Sequence, residues 1–489
     1  MYLCIVKQYL HIMNKQFIGR ELEMRQLERI EHSGKPEFVA VYGRRRVGKT
    51  YLIQQYFEKR FAFETTGILE GTAEEQLFAF RNSLAAAGYD GEAPTSWLEA
   101  FECLKTVMGR MKSKGRKVIY IDELPCLDTP KSGFVRALGY FWNSWASLQK
   151  EVILIVCGSA TSWMVSNIID DYGGLHNRIT HTIYLHQFSL AETERYLARN
   201  GMKWPRKTIV EAYMIFGGVP YYLSLLDSRH SLAQNVDRLY FKKGAELSNE
   251  YHRLYSSLFK SPDAYLRIIE LLNQNKKGLS RTELVEKLGA TSNGSLTKQL
   301  RDLENCDIIR RYSVKAKGKL KARDSYYQLD DLFTIFHLTF SGKAISDSYW
   351  EQRVNSPMMN TWQGLAFERV CMSHIVQVRQ ALGLGRIAVE YYSWRSKDDA
   401  PRAQVDMVIE RADHLVNLCE IKFARSEYNI TAADDRGMRA KGDAFLRDTG
   451  IRCGVLPTWV TPYGLKKNMY STEVQYQVTL DDLFVNMPL

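Results

Sequence analysis

The sequence predicts a multidomain α/β protein, and three observations carry that expectation. The chain has 489 residues, too many for one ordinary hydrophobic core. An apolar run from Phe38 to Tyr42 leads straight into a glycine-bounded loop, Gly43 to Thr50, and a helical pattern follows. Further apolar strands alternate with helical stretches through residue 185, the pattern of a parallel sheet covered on both faces. Past residue 260 the pattern changes to short helices and then to strand pairs, which predicts separate rear domains.

Composition narrows the class. Lys and Arg number 66 against 55 Asp and Glu, a net charge of +11 that favours an anionic partner such as a nucleotide or nucleic acid. Hydrophobic content of 45% and charged content of 25% are those of a folded soluble chain. No apolar run approaches the roughly 18 residues that cross a bilayer, so no membrane partner is expected. The eight cysteines are scattered, with no CxxC spacing, and are expected to be reduced in a cytoplasmic protein. Residues 1–14 are set aside as a leader too weakly patterned for a signal peptide, with Met13 an alternative start.

Residues 15–186 are expected to form the first domain. Gly43, Arg44, Arg45, Arg46, Val47, Gly48, Lys49 and Thr50 match GxxxxGK[ST] between a strand and a helix. In such a P-loop the glycines let backbone N–H groups curl around phosphate, and the helix N-terminus adds its positive dipole end. Lys49 then reaches the β- and γ-phosphates of ATP, and the Thr50 hydroxyl ligates Mg²⁺. A second strand, KVIYID, ends in Asp122 and Glu123. Asp122 is assigned to the Mg²⁺ shell and Glu123 to polarising the attacking water. A third strand, VILIVCG, ends at Ser159, which either senses the γ-phosphate or caps the next helix. The strand in HTIYLHQF closes the sheet, placing the ligand at the strand C-terminal ends.

Residues 15–260 resemble the archaeal-type AAA ATPases, relatives of the STAND signalling NTPases. The matching pieces are FIGRELE, the P-loop, IDEL, GSATS, NRIT and GGVPYYL. The resemblance implies a RecA/AAA-like core with a helical lid over 187–260. It implies that Phe17, Ile18 and Arg20 line the base pocket. Arg178 stands where the family places an arginine that approaches phosphate, in cis or from a neighbouring subunit, though it also suits a plain surface position. Pro220 stands in the lid motif that presents a helix to nucleotide, or simply in a turn between helices. A homo-oligomer or a protein partner stays open.

Residues 261–340 show three short helices and two strand-like runs, the order of a winged helix. The third helix offers Lys298, Gln299 and Arg301 as base-reading candidates. Seven basic residues and no acidic one lie between Arg310 and Arg323, among them Arg311, Lys315, Lys317, Lys319 and Lys321. Such a ribbon suits DNA phosphates; winged helices also dock proteins.

Residues 341–489 show a helix, a strand, a hairpin and a second helix. Asp406 precedes Glu420 by 14 positions, Lys422 follows two later, and Glu368 lies on the preceding helix. This resembles the PD-(D/E)xK nuclease core of restriction-endonuclease-like folds, with Val405 where the pattern often has proline. The resemblance implies Mg²⁺ on Asp406 and Glu420, and Lys422 and Glu368 at the cutting site. The alternative is a Glu–Lys pair in a silent fold. The whole sequence is expected to couple ATP binding and hydrolysis to DNA binding and Mg²⁺-dependent cleavage. The rival expectation is an ATP-switched signalling or scaffold protein.

Overall fold

The computed structural model describes residues 17–112, 115–170, 174–175, 177–289, 293–316, 319–342, 348–354, 356–396 and 403–486. The chain divides into two units. One runs to Gln187 and includes Leu254–Pro262; the other comprises Phe188–Arg253 and the chain from Asp263 onward.

The first unit opens with helix α1 (Glu21–Glu31) and strand β1 (Glu37–Tyr42), followed by α2 (Lys49–Tyr56) and β2 (Phe63–Thr66). Helices α3 (Ala73–Ala86) and α4 (Trp97–Arg110) precede β3 (Lys117–Asp122), and α5 (Phe134–Ser144) precedes β4 (Val152–Gly158) and β5 (His181–Tyr184). All five strands are parallel, in the order β2-β3-β4-β1-β5.

Strand alternation sorts the side chains into two cores. Phe38, Ala40, Ile119, Ile121, Leu154 and Val156 pack with residues of α3, α4 and α5. Val39, Val41, Val118, Tyr120, Ile153 and Ile155 pack with α1 and α2. Both faces are therefore covered, and the central strands are continuous apolar runs with no polar face. The edge strand β2, FETT, escapes sequence reading because it has only four residues and one large apolar side chain.

The order matters for chemistry. The strand ending at Ser159 lies between the P-loop strand and the strand ending at Asp122. Three chemically distinct tips thus sit side by side at the C-terminal ends of the three central strands.

The second unit begins with α6 (Leu190–Arg199), held by a capping box between Ser189 and Glu192, and α7 (Arg206–Phe216). Pro220 occupies the first turn of a short helix, Pro220–Ser224, where its missing N–H costs nothing. Just before it, the Phe188 N–H donates to the Gly218 carbonyl at 2.7 Å. A Cβ on Gly218 would lie 1.9 Å from the Phe188 carbonyl oxygen, a backbone atom that cannot swing aside. Gly218→Ala is expected to destabilise this unit by roughly 3 kcal/mol, read as a lower urea midpoint. An unchanged midpoint would mean that the two backbones are not in close contact.

Helices α8 (Asp263–Gln274), α9 (Arg281–Leu288) and α10 (Asn293–Asn305) follow, with strands β6 (Leu279–Ser280), β7 (Ile309–Ala316) and β8 (Lys319–Leu329) in an antiparallel sheet ordered β6-β8-β7. Helices α11 (Leu332–Phe340), α12 (Pro357–Ser373) and α13 (Ile375–Ala381) lead to a second five-stranded sheet. It contains β9 (Val389–Arg395), β10 (Gln404–Arg411), β11 (Leu415–Ile421), β12 (Gly454–Val460) and β13 (Tyr476–Val478), ordered β13-β12-β11-β10-β9. It is mixed: β9, β10 and β11 pair antiparallel, β11 and β12 pair parallel across helix α14 (Ala432–Thr449), and β12 and β13 also pair parallel.

Boundaries expected at residues 260 and 340 do not isolate cores here. Tyr312 of β7 packs in one cluster with Tyr392, Trp394 and Phe445. The buried His374 imidazole donates from Nδ1 to the Val370 carbonyl at 2.8 Å and accepts the Leu190 N–H at Nε2, 2.9 Å away. Burial pushes this histidine down to about 4, so it holds the start of α6 as a neutral acceptor.

Candidate nucleotide site and rear ion cluster

The P-loop geometry follows from three backbone requirements. Gly43 has φ 143° and lies where a Cβ would meet the Leu185 carbonyl oxygen at 2.5 Å. Arg46 and Gly48 both have positive φ, at 71° and 92°, which coils the loop tightly onto α2. Gly48 caps α2 without a side-chain acceptor, so the helix N–H groups stay directed at the loop interior. Lys49 is buried, and its Nζ donates to the Gly43 and Arg44 carbonyls, each at 3.0 Å. Its stem is thereby threaded through the loop toward the place a phosphate would take.

Thr50 Oγ1 donates to Asp122 Oδ2 at 2.7 Å. With its proton committed, the hydroxyl has lone pairs to offer a cation, and Asp122 stands beside it as a carboxylate. These two residues therefore fit Mg²⁺ held with a nucleotide. Asp122 Oδ1 also accepts the Glu123 N–H at 2.9 Å, locking the turn. Glu123 has φ 44°, an uncommon backbone for a glutamate, and this aims its side chain across to β4. There Ser159 Oγ donates to its carboxylate at 2.9 Å. The structure thus joins Thr50, Asp122, Glu123 and Ser159 in one hydrogen-bonded chain, as the strand order allows.

Other sequence assignments are redistributed. Arg20 is buried, and Nη2 donates to the Val47 carbonyl at 3.0 Å. Its work is to brace the P-loop from behind. Val47 is likewise buried, so its side chain is core and only its backbone serves the loop. Phe17 is buried and Ile18 half-buried. The Phe17 ring lies 5.4 Å from that of Tyr51, an exposed aromatic directly after Thr50 that sequence reasoning passed over. Arg44 is buried, and Arg45 and Arg46 are half-buried. Gly67 is a second omission: its N–H donates to the Asp122 carbonyl, and a Cβ there would meet the Glu123 carbonyl at 2.5 Å. Arg178 is exposed in a turn. Pro220 belongs to the second unit.

The expected DNA contacts divide. Lys298 and Arg301 are exposed on α10, whose Leu296, Leu300 and Leu303 face the core; Gln299 is half-buried and donates to Ser295. Arg310, by contrast, pairs with Asp330 at 2.5 Å, and Arg311 with Glu304 at 3.3 Å. Both strand arginines are therefore paired with carboxylates from outside the acid-free stretch, Arg311 while remaining exposed. Lys317 lies outside the described residues, as do the side chains of Lys315, Lys319 and Lys321.

In the second unit, Glu368 on α12, Asp406 on β10, and Glu420 and Lys422 at the end of β11 form one electrostatic cluster. The register of β10 against β9 shifts between Val405 and Val408, so Asp406 sits in an irregularity that re-aims its side chain. Asp406 Oδ2 accepts the Ile421 N–H at 3.2 Å. Burial and then the facing Asp406 carboxylate push Glu368 up to about 8; burial and then Glu420 push Asp406 up to about 6. Glu420 does pair with Lys422, at 2.8 Å. It pairs equally with Lys441 of α14, at 2.5 Å, a residue no motif indicated. Among the described residues, no group of three or more His, Cys, Asp or Glu side chains gathers as a metal-holding set. The divalent-ion assignment to Asp406 and Glu420 therefore meets a carboxylate already engaged on both oxygens.

The described cysteines are all free, and no described helix is long and apolar enough to cross a membrane.

A five-stranded parallel sheet with this loop, acidic strand end and intervening polar tip is a parallel-sheet P-loop ATPase fold. Residues 17–226 match the model of a domain family described as an ATPase domain predominantly from Archaea. An uncharacterized protein of Methanocaldococcus jannaschii is 24% identical over 372 residues, 74% of this chain and 78% of the relative. An uncharacterized ATP-binding protein of the same organism is 43% identical over 44 residues, 9% of this chain and 75% of the relative. A solved Walker-type ATPase of Pyrococcus abyssi matches with a TM-score of 0.47 at 19% identity, covering 66% of this chain and 96% of its own.

Proposed function

We propose that the chain hydrolyses ATP at Lys49, Thr50, Asp122 and Glu123 and uses the nucleotide state to govern DNA engagement by its second unit. The single observation that carries the hydrolytic part is the hydrogen-bonded chain Thr50–Asp122 and Glu123–Ser159. It links a cation-ready hydroxyl, a carboxylate and a poised base through successive hydrogen bonds. Bound Mg²⁺ and ATP would bring a neutralised triphosphate to the loop. Lys49 would then exchange its two carbonyl partners for phosphate oxygens, and the Glu123 carboxylate would orient water and take up its proton. Ser159 would restrain Glu123 until the γ-phosphate competes for its hydroxyl.

DNA engagement is supported by the order of three helices and a hairpin, which is that of a winged helix. It is also supported by the exposed cations Lys298 and Arg301 on α10. Cleavage would fall to Asp406, Glu420 and Lys422, with Glu368 beside them, in a nuclease-like sheet. The second ion pair on Glu420 favours a rival reading, an ATP-switched scaffold whose rear cluster is silent. Nicking of supercoiled DNA in Mg²⁺ separates the two. The cleavage reading expects nicking by the native chain and at least about a 100-fold loss in Asp406→Ala. Equal activity in both proteins, or none in either, leaves the scaffold.

A further inference from the structure

The divalent cation implied by the rear motif meets a site whose central ligand is already saturated, and that disagreement has a specific source. Glu420 is buried, with its side chain 11% exposed. One oxygen faces Lys422 at 2.8 Å; the other faces Lys441 at 2.5 Å. Lys422 lies two residues along the same strand and belongs to the motif. Lys441 arrives from a different element, the middle of α14, 21 positions later.

Its placement is fixed by packing. One residue on, Gly442 has no side chain and lies against Val455 and Leu418, so α14 rides close on β11 and β12. The neighbouring Ala444 and Phe445 are buried in the same core. This leaves the Lys441 stem only a short reach to the sheet surface, and its side chain is 24% exposed.

Charge counting gives the consequence. Glu368, Asp406 and Glu420 bring three carboxyl groups into one buried place, where burial and then neighbouring negative charge hold the first two above the usual carboxylate range. Lys422, Lys441 and Arg369, which lies 3.8 Å from Glu368, present three cations. The Asp406 carboxylate faces Glu420, Lys441 and Lys422, and that of Glu368 faces Asp406, Arg369, Glu420 and Lys422. Around Glu420 the two ammonium groups already supply the positive charge that a divalent ion would bring. A divalent ion entering between Asp406 and Glu420 would have to break the Lys441 contact and leave an ammonium beside it.

We propose that Lys441 is a built-in counter-ion that occupies the cation position on Glu420, so that the rear cluster takes a divalent ion only when α14 releases this lysine. Lys441 is a positioning residue in this account: it sets whether Glu420 can ligate, and it touches no substrate. The inference rests on reading the rear cluster as a divalent-cation site, and its test is separable from cleavage.

The test is Mn²⁺ binding to the full chain without nucleotide, followed by calorimetry and by loss of the free-ion resonance signal. Lys441→Met and Lys441→Gln are each expected to bind one Mn²⁺ at least about tenfold more tightly than the native chain. Adding Asp406→Asn to either variant should abolish that gain, which places the ion at this cluster and not at the P-loop. Lys441→Arg keeps the charge and should stay at the native affinity. Equal affinity in the native chain and both neutral variants overturns the proposal, as does a matching gain in Lys441→Arg. DNA nicking run in parallel keeps the two questions apart. Tighter Mn²⁺ with intact DNA upholds the counter-ion and removes the nuclease; native nicking with unchanged Mn²⁺ affinity does the reverse.

Discussion

Glu123→Gln is expected to bind ATP with native affinity and to hydrolyse it about 100- to 10,000-fold more slowly, the range a positioned general base contributes. The reasoning starts from a backbone oddity. A glutamate with φ 44° is held there by its neighbours: its N–H is taken by Asp122 and its carboxylate by Ser159. The amide of glutamine keeps an oxygen for the Ser159 hydroxyl, so the turn and the loop beside it survive. It loses only the capacity to accept a proton from water. Single-turnover hydrolysis with parallel nucleotide-binding measurements reads the two effects separately. A Glu123→Gln protein turning over at the native rate would remove Glu123 from the chemistry.

Lys49→Ala is expected to act one step earlier, on binding itself. The Lys49 side chain is buried, and its Nζ is satisfied by two loop carbonyls at 3.0 Å. A triphosphate would replace these neutral acceptors by charged ones, and a hydrogen bond to a charged group contributes about 1.5–3 kcal/mol. Alanine forfeits that, so ATP affinity should fall roughly 10- to 100-fold, with hydrolysis falling at least as far. The substitution also leaves two carbonyls without their donor inside the loop, so the thermal midpoint of the first unit should be compared. Loss of affinity with an unchanged midpoint assigns the effect to the missing phosphate contact. Native affinity in Lys49→Ala would contradict the cradle.

What could be read from residues alone follows the range over which the determining contacts act. The P-loop, the Asp122–Glu123 strand end and the Ser159 tip are local patterns, each specified by a few adjacent residues. The parallel sheet emerges as expected and brings these strand ends together, whereas Ser159 donates to Glu123, a contact that neither of its two readings included. Arg20 was assignable to a base pocket only by resemblance, because its bond to the Val47 carbonyl spans 27 positions. The Arg310 and Arg311 pairings were hidden for a like reason: Asp330 and Glu304 lie outside the basic stretch and come near only once the hairpin forms. Lys441 was invisible altogether, since a lysine in a polar helix carries no signal until that helix is laid on the sheet. The union of the rear segments into one unit likewise depends on contacts such as His374 with Leu190, separated by 184 positions.

These omissions share a physical character. Sequence periodicity reports which face of an element is apolar, whereas the missed features are polar side chains satisfied across elements. For the rear cluster this changes the argument. The motif supplies Asp406, Glu420 and Lys422, but the balance of charge around them is decided by a helix the motif does not include.

The account depends above all on the front loop gripping a triphosphate. Titration of MgATP into the native chain by calorimetry tests this most directly. It should show one site per chain, with weaker binding when Mg²⁺ is withdrawn. An absence of binding heat and of any thermal stabilisation by MgATP would contradict it.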